Sequence, residues 1–147
     1  MAEGDGRWQN KTKADCFRKT IDFVNDTIRV ALCYGTQPVI DGTVVLADIT
    51  QIAATGYTAV ADGAVYALAT KAVTQDDTND RGKFDADDAA FGAVGTPNHA
   101  ITYAAFIDDT LANNPVLGTI ELLASDHQPN GGTYTLQFHA DGIGLLT

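Results

Sequence analysis

Two adjacent carboxylates, Asp108 and Asp109, close an alternating apolar run in "ITYAAFIDDTLANNPVLGTIEL", residues 101–122, and a second apolar run begins at Pro115. A carboxyl pair at a strand end is the arrangement a proton-transfer catalyst uses, one group donating while the other accepts. On an extended strand, however, consecutive side chains point to opposite faces, so two neighbours cannot address one substrate. In a turn, Asp-Asp-Thr instead favours hydrogen bonds between its own side chains and backbone. The expectation is a turn that joins two strands.

The segment "DDTNDRGKFDADD", residues 76–88, sets Asp77, Asn79, Gly82 and Asp88 at offsets 1, 3, 6 and 12 of a calcium-binding loop. Arg81 occupies offset 5 and brings a guanidinium where a ligand oxygen belongs. A solvated acidic loop is the expectation, with a weak cation site from some of its carboxylates as the alternative. His99, His127 and His139 fall in three separate segments without the close spacing of metal ligands. Ser125 adjoins Asp126 and His127, but a catalytic triad is made by geometry between separate elements, not by adjacency. Cys16 and Cys33 form no Cys-x-x-Cys pair and have no histidine cluster beside them. They are expected as two reduced thiols, a disulfide between them being the alternative. "GIG", residues 142–144, lies too near the C-terminus to open a phosphate-binding helix. The residues thus assign no catalytic group, cofactor or metal, and an enzyme is not expected.

The elements that position these side chains are those of one domain, for which 147 residues suffice. Hydrophobic residues make up 45% and charged residues 19%, with no unbroken apolar stretch long enough to span a bilayer. The net charge of −10 repels phosphate backbones and anionic headgroups, so neither nucleic acid nor membrane is an expected partner. "MAEGDGRWQNKTK" lacks the apolar core of a secretion signal and reads as a flexible arm over residues 1–12, ahead of a single β domain over 13–147. "KADCFRKTIDFV" places Cys16, Phe17, Thr20, Ile21 and Val24 on one side at helical spacing, which predicts a helix over 13–24.

From there the period is two. "TIRVALCY" alternates Ile28, Val30 and Leu32 against Arg29, Ala31 and Cys33, as a half-buried strand does. "TVVLADI" and "GAVYALATKAV" read as further strands, "ATGYTA" as a turn or bulge, and "KFDADDAAFGAV" as a strand pair or bulged strand. "PVLGTIELL", "GTYTLQFH" and "IGLLT" complete eight to ten short strands separated by Gly, Pro, Asn and Asp clusters. The expected class is all-β: an antiparallel β-sandwich or barrel of jelly-roll type with at most one short N-terminal helix. The many glycines and alanines would let another backbone approach closely.

The order "DTIRVALCYG", "VLADIT", "ATGYT", "FDADDAAF", "ITYAAFIDDTLANNPVLGTIEL" and "LQFHADGIGLLT" resembles that of a group of small virion structural proteins of tailed bacteriophages. The resemblance runs from Asp26 to Thr147, and departs from the pattern at Phe91, where a tryptophan is expected, and at His139, where asparagine is commoner. It implies a capsid decoration or cement protein on the outer surface of the virion, made in the cytoplasm of the bacterial host. The implied partners are the major capsid protein and further copies of the chain, in a symmetric oligomer taken as a trimer. The alternatives are a tail, neck or head-fibre component or, outside virions, a carbohydrate- or cation-binding β-sandwich. Phe91, Tyr103 and Phe106 are expected in the core. Arg7, Trp8, Gln9 and Lys11 in the arm are the expected contacts with subunit or capsid, Trp8 either anchoring on a neighbour or folding back onto its own domain.

Overall fold

A computed structural model describes residues 6–39, 41–62, 65–79, 81–122, 127–139 and 142–146. It opens with a short strand, Gly6–Trp8 (β1), and an eight-residue helix, Asn10–Phe17 (α1). Eight further strands follow: Ile28–Cys33 (β2), Ala72–Asp76 (β3), Arg81–Asp85 (β4), Ala89–Ala93 (β5), Tyr103–Asp108 (β6), Val116–Glu121 (β7), Thr133–Leu136 (β8) and Gly144–Leu146 (β9). All pairings are antiparallel, in sheets ordered β1-β7-β6-β2, β3-β4-β9 and β5-β8. The protein is thus an all-β, sandwich-like fold with one short N-terminal helix. Among the described residues the sheets do not complete the two four-stranded sheets of a jelly roll.

The four-stranded sheet is covered on both faces. Ile28, Val30 and Leu32 of β2 join Ala104 and Phe106 of β6 in the larger core, while Ala31, Cys33, Tyr103, Ala105 and Ile107 pack on the other side with Ile49 and Val60. All six residues of β2 and all six of β6 are therefore buried, and β2 is not the half-exposed strand its alternation predicts. Its second face carries small side chains, which let the 44–66 segment lie close against it. That segment also covers the edge of β2: the amides of Val30 and Tyr34 donate to Tyr66 and Thr50, and those of Ile52 and Leu68 donate back to Leu32 and Ile28. An edge so paired offers no template to another chain.

Residues 6–12 do not form a flexible arm. Gly6, Arg7 and Trp8 pair with Ile120, Thr119 and Gly118 of β7, and Asn10 begins α1. The reason is the indole of Trp8, which is 8% exposed, stacks on Phe106 at 5.8 Å and receives Phe23 and Phe84 edge-on at 5.4 and 5.9 Å. Two glycines make the seat. A methyl group on Gly118 would lie 2.7 Å from the Arg7 carbonyl and 3.0 Å from the indole, and one on Gly144 would run into the ring itself. Residues 1–5 lie outside the described residues.

Three other expectations change. The helix ends at Phe17 because Lys19 turns left-handed (φ 59°) and the amides of Lys19 and Thr20 close on the carbonyls of Cys16 and Asp15. Asp22 then caps a turn, its Oδ1 accepting from the amides of Val24 and Asn25, so Ile21 and Phe23 reach the core from a loop while Phe17 is left 85% exposed. "TVVLADI" is a bend with a 3-10 turn over Leu46–Asp48, held by Asp48 Oδ2 accepting from the Val45 amide at 3.0 Å. "GAVYALATKAV" is broken by left-handed Tyr66 and Thr70, so that among its described residues the pairing with β2 is an isolated bridge at Ala67 before β3 begins at Ala72.

Candidate functional site

Asp108 ends β6 opposite Ile28, and Asp109 starts the turn to β7, their side chains diverging as alternation requires. Asp108 is fully buried, and its Oδ1 accepts the Thr110 amide at 2.9 Å, the side-chain-to-backbone bond of an Asx turn. Asp109 leaves the turn to meet Arg29, whose Nε lies 2.7 Å from its Oδ2 while Nη1 donates to the Val65 carbonyl at 3.0 Å. The Asp109 amide donates to Thr27 and the Thr110 hydroxyl accepts the Thr27 amide, so the turn is bolted to the start of β2. Left-handed Asn113 and Asn114 bring the chain back into β7.

The second oxygen of Asp108, Oδ2, is buried without a hydrogen-bond donor and faces the carboxyl of Asp26. Burial raises the Asp108 carboxyl to about 6, opposed by the Thr110 amide and reinforced by the charge of Asp26. Arg29, Asp26 and the Lys71 ammonium on the Asp26 carbonyl make this a structural ionic cluster rather than an open acid–base site. Its members could not be read from the sequence, because Arg29 and Lys71 come from distant segments.

Other residues of the segments read above likewise bond within the chain. Gly56 (φ 80°) presses on the Ala93 carbonyl with no room for a side chain, and the Tyr57 hydroxyl accepts the Leu32 amide at 3.0 Å while donating to Gln51 Oε1 at 2.9 Å. Burial raises that phenol well above its ordinary range. Asp88 Oδ1 accepts the Phe138 amide at 2.8 Å, and Asp87 Oδ2 the Thr70 hydroxyl at 2.6 Å. Phe91, Tyr103 and Phe106 are in the core as expected.

In the 76–88 segment Asp76 is occupied by Arg81 Nε at 2.6 Å and Asn79 Nδ2 at 2.9 Å, and Lys83 reaches Asp85 at 3.3 Å. These cations lower the need for a metal, and no cluster of three or more His, Cys, Asp or Glu able to hold one occurs among the described residues. The histidines stay apart: His99 stacks on Tyr34 at 4.0 Å, His127 Nδ1 meets the Tyr134 hydroxyl at 2.6 Å, and His139 is exposed beyond β8. Ser125 and Asp126 lie outside the described residues. Cys16 and Cys33 are free thiols; burial raises Cys33 to about 12, and burial followed by the charge of Asp15 raises Cys16.

Of the expected contact residues, Trp8 and Gln9 are buried within their own chain, Gln9 being 1% exposed with its backbone amide donating to the Leu117 carbonyl at 2.9 Å. Trp8 therefore takes the folded-back alternative. Arg7 is half-buried on β1, and Lys11 is exposed on α1 beside Asp15. The sequence reading missed Phe17, because it placed that side chain on the packed face of a longer helix. No helix among the described residues is long and apolar enough to cross a membrane. Comparison with protein-family models, curated proteins and solved structures returns no match to this chain.

Proposed function

We propose that this chain is a structural protein of a bacteriophage virion, a decoration or cement protein that binds the major capsid protein lattice from outside as a homo-oligomer. What supports the reading is how the segments that carry the resemblance are used. Gly56, Tyr57, Asp87, Asp88, Asp108 and Asp109 all serve as braces for loops and strand edges. Side chains spent on holding a scaffold together suit a protein whose function is its shape. The net charge of −10 supports the outer surface, since each copy inside would face packaged phosphate. Symmetric copies on a symmetric lattice multiply a modest contact into firm attachment.

The test is quantitative mass spectrometry of purified particles. Hundreds of copies per particle, and earlier rupture on heating when the protein is missing, are expected of decoration. About a dozen copies would match a ring at a symmetry axis and move the protein to the neck or tail.

A further inference from the structure

The basic residues are not spread evenly. Five of the nine lysines and arginines, with a single acid, fall between Arg7 and Lys19, so this stretch is +4 in a chain of net −10. Phe17 stands at its centre, 85% exposed at the end of α1, beside Arg18, whose side chain is 74% exposed, and Lys19. Val24 and Val73, both exposed, line a shallow groove with Cys16 and Phe23 next to it. Elsewhere on the surface Ile120, Phe138 and Ile143 line a recess together with Gln137, His139 and Gly142. Asp88 sits on its rim, holding the Phe138 amide, and exposed Asp87 adjoins it. An exposed aromatic beside two cations and a recess with two exposed carboxylates close to Phe138 thus occur on one molecule.

We propose that Phe17, with Arg18 and Lys19, docks into the recess at Phe138 on a second copy of this chain, with Asp87 and Asp88 facing the cations. Both partners of the contact are present on every copy, so it is made either reciprocally across a two-fold axis or head-to-tail, the latter giving a ring where the rotation closes. Opposite charge fixes the register and speeds encounter, while the buried aromatic anchor carries the affinity. The inference deepens the oligomeric part of the reading above, and its test needs no capsid, so either can fail alone.

The full-length chain is studied by sedimentation velocity over a range of concentrations. A concentration-dependent oligomer is expected, weakened by about 1 M salt, where the screening length falls to about 3 Å. Phe17→Glu, at a solvent-exposed site, should leave circular dichroism unchanged and weaken association at least about 30-fold. A photoreactive p-benzoylphenylalanine at position 17, in a mixture of isotopically light and heavy chains, should crosslink between copies to the peptide holding Phe138. A monomer at every concentration, an oligomer indifferent to Phe17→Glu, or crosslinks between position 17 of one copy and α1 of the other would overturn the proposal.

Discussion

Replacing Asp108 with asparagine should stabilise the protein at neutral pH and do nothing at acid pH. The folded carboxyl titrates at about 6 against an ordinary 3.8, because burial disfavours the charge. A group whose folded pKa is raised favours folding in its protonated form. Below about pH 4 it is protonated folded and unfolded alike, and no penalty exists. Between about 4 and 6 the folded state holds a proton that the unfolded state releases, so stability falls as pH rises. Above about 6 the buried carboxylate bears the whole penalty. About two pH units at about 1.4 kcal/mol each give ~3 kcal/mol, undiscounted because the side chain has no exposed surface. Asn has the same shape, its Oδ1 can keep the Thr110 amide, and its Nδ2 supplies the donor that the Asp26 carboxyl faces. Urea unfolding of Asp108→Asn and the parent from about pH 4 to about pH 8 reads the effect. The two curves should coincide near pH 4 and separate by ~2–3 kcal/mol above pH 7, the slopes of other carboxylates cancelling in the difference. A difference independent of pH, or a variant less stable at neutral pH, would refute the reasoning. The charge of Asp26 is one cause of the Asp108 rise, so Asp26→Asn should also shrink the pH dependence.

The neighbouring residue should respond with the opposite sign. Asp109→Asn removes the partner of Arg29, whose side chain is 9% exposed, and should destabilise by about 2–4 kcal/mol at neutral pH in the same assay. Trp8→Ala should cost about 3–5 kcal/mol, and deletion of residues 1–12 should leave a chain that does not fold cooperatively, as seen in thermal melts. Trp8 is the sole tryptophan, so native emission should be blue-shifted and resistant to acrylamide, and a fully quenchable signal would show the buried seat to be wrong. With a thiol-disulfide exchange reagent, Cys33 should stay silent in the native protein while half-buried Cys16 reacts slowly, and two thiols should appear after denaturation.

The strands that could be read from alternation matching the burial of at least one face are β2, β6, β7 and β8, and "KFDADDAAFGAV", read as a strand pair or bulged strand, holds most of β4 and all of β5. What could not be read has local causes. Ala31, Ala105 and Cys33 look like a solvent face by size and polarity, yet their smallness is what admits the loop that buries them. The helix stop at Lys19 has no glycine, and Tyr66 and Thr70 take left-handed backbone with side chains that give no warning of it. The Asp108–Thr110 turn was legible because Asx chemistry is local. Its attachment to Arg29 and Asp26 was not, since those partners lie about eighty residues away in the chain and only strand pairing brings them together.

The seating of Trp8 also decides how the proposed surface is to be probed. β1 and α1 are consecutive, so the clasp of Gly118 and Gly144 around the indole fixes where the cationic helix leaves the sheet. Truncating the N-terminus would remove the surface and the core together, and lost binding would then say nothing about contact. Phe17 lies past the last core contact of α1, where the left-handed Lys19 turns the chain away. A polar residue there touches no buried group, and burying an exposed Phe is the larger gain available to a partner. Substitution at Phe17 therefore separates assembly from folding, which no change at Trp8 can do.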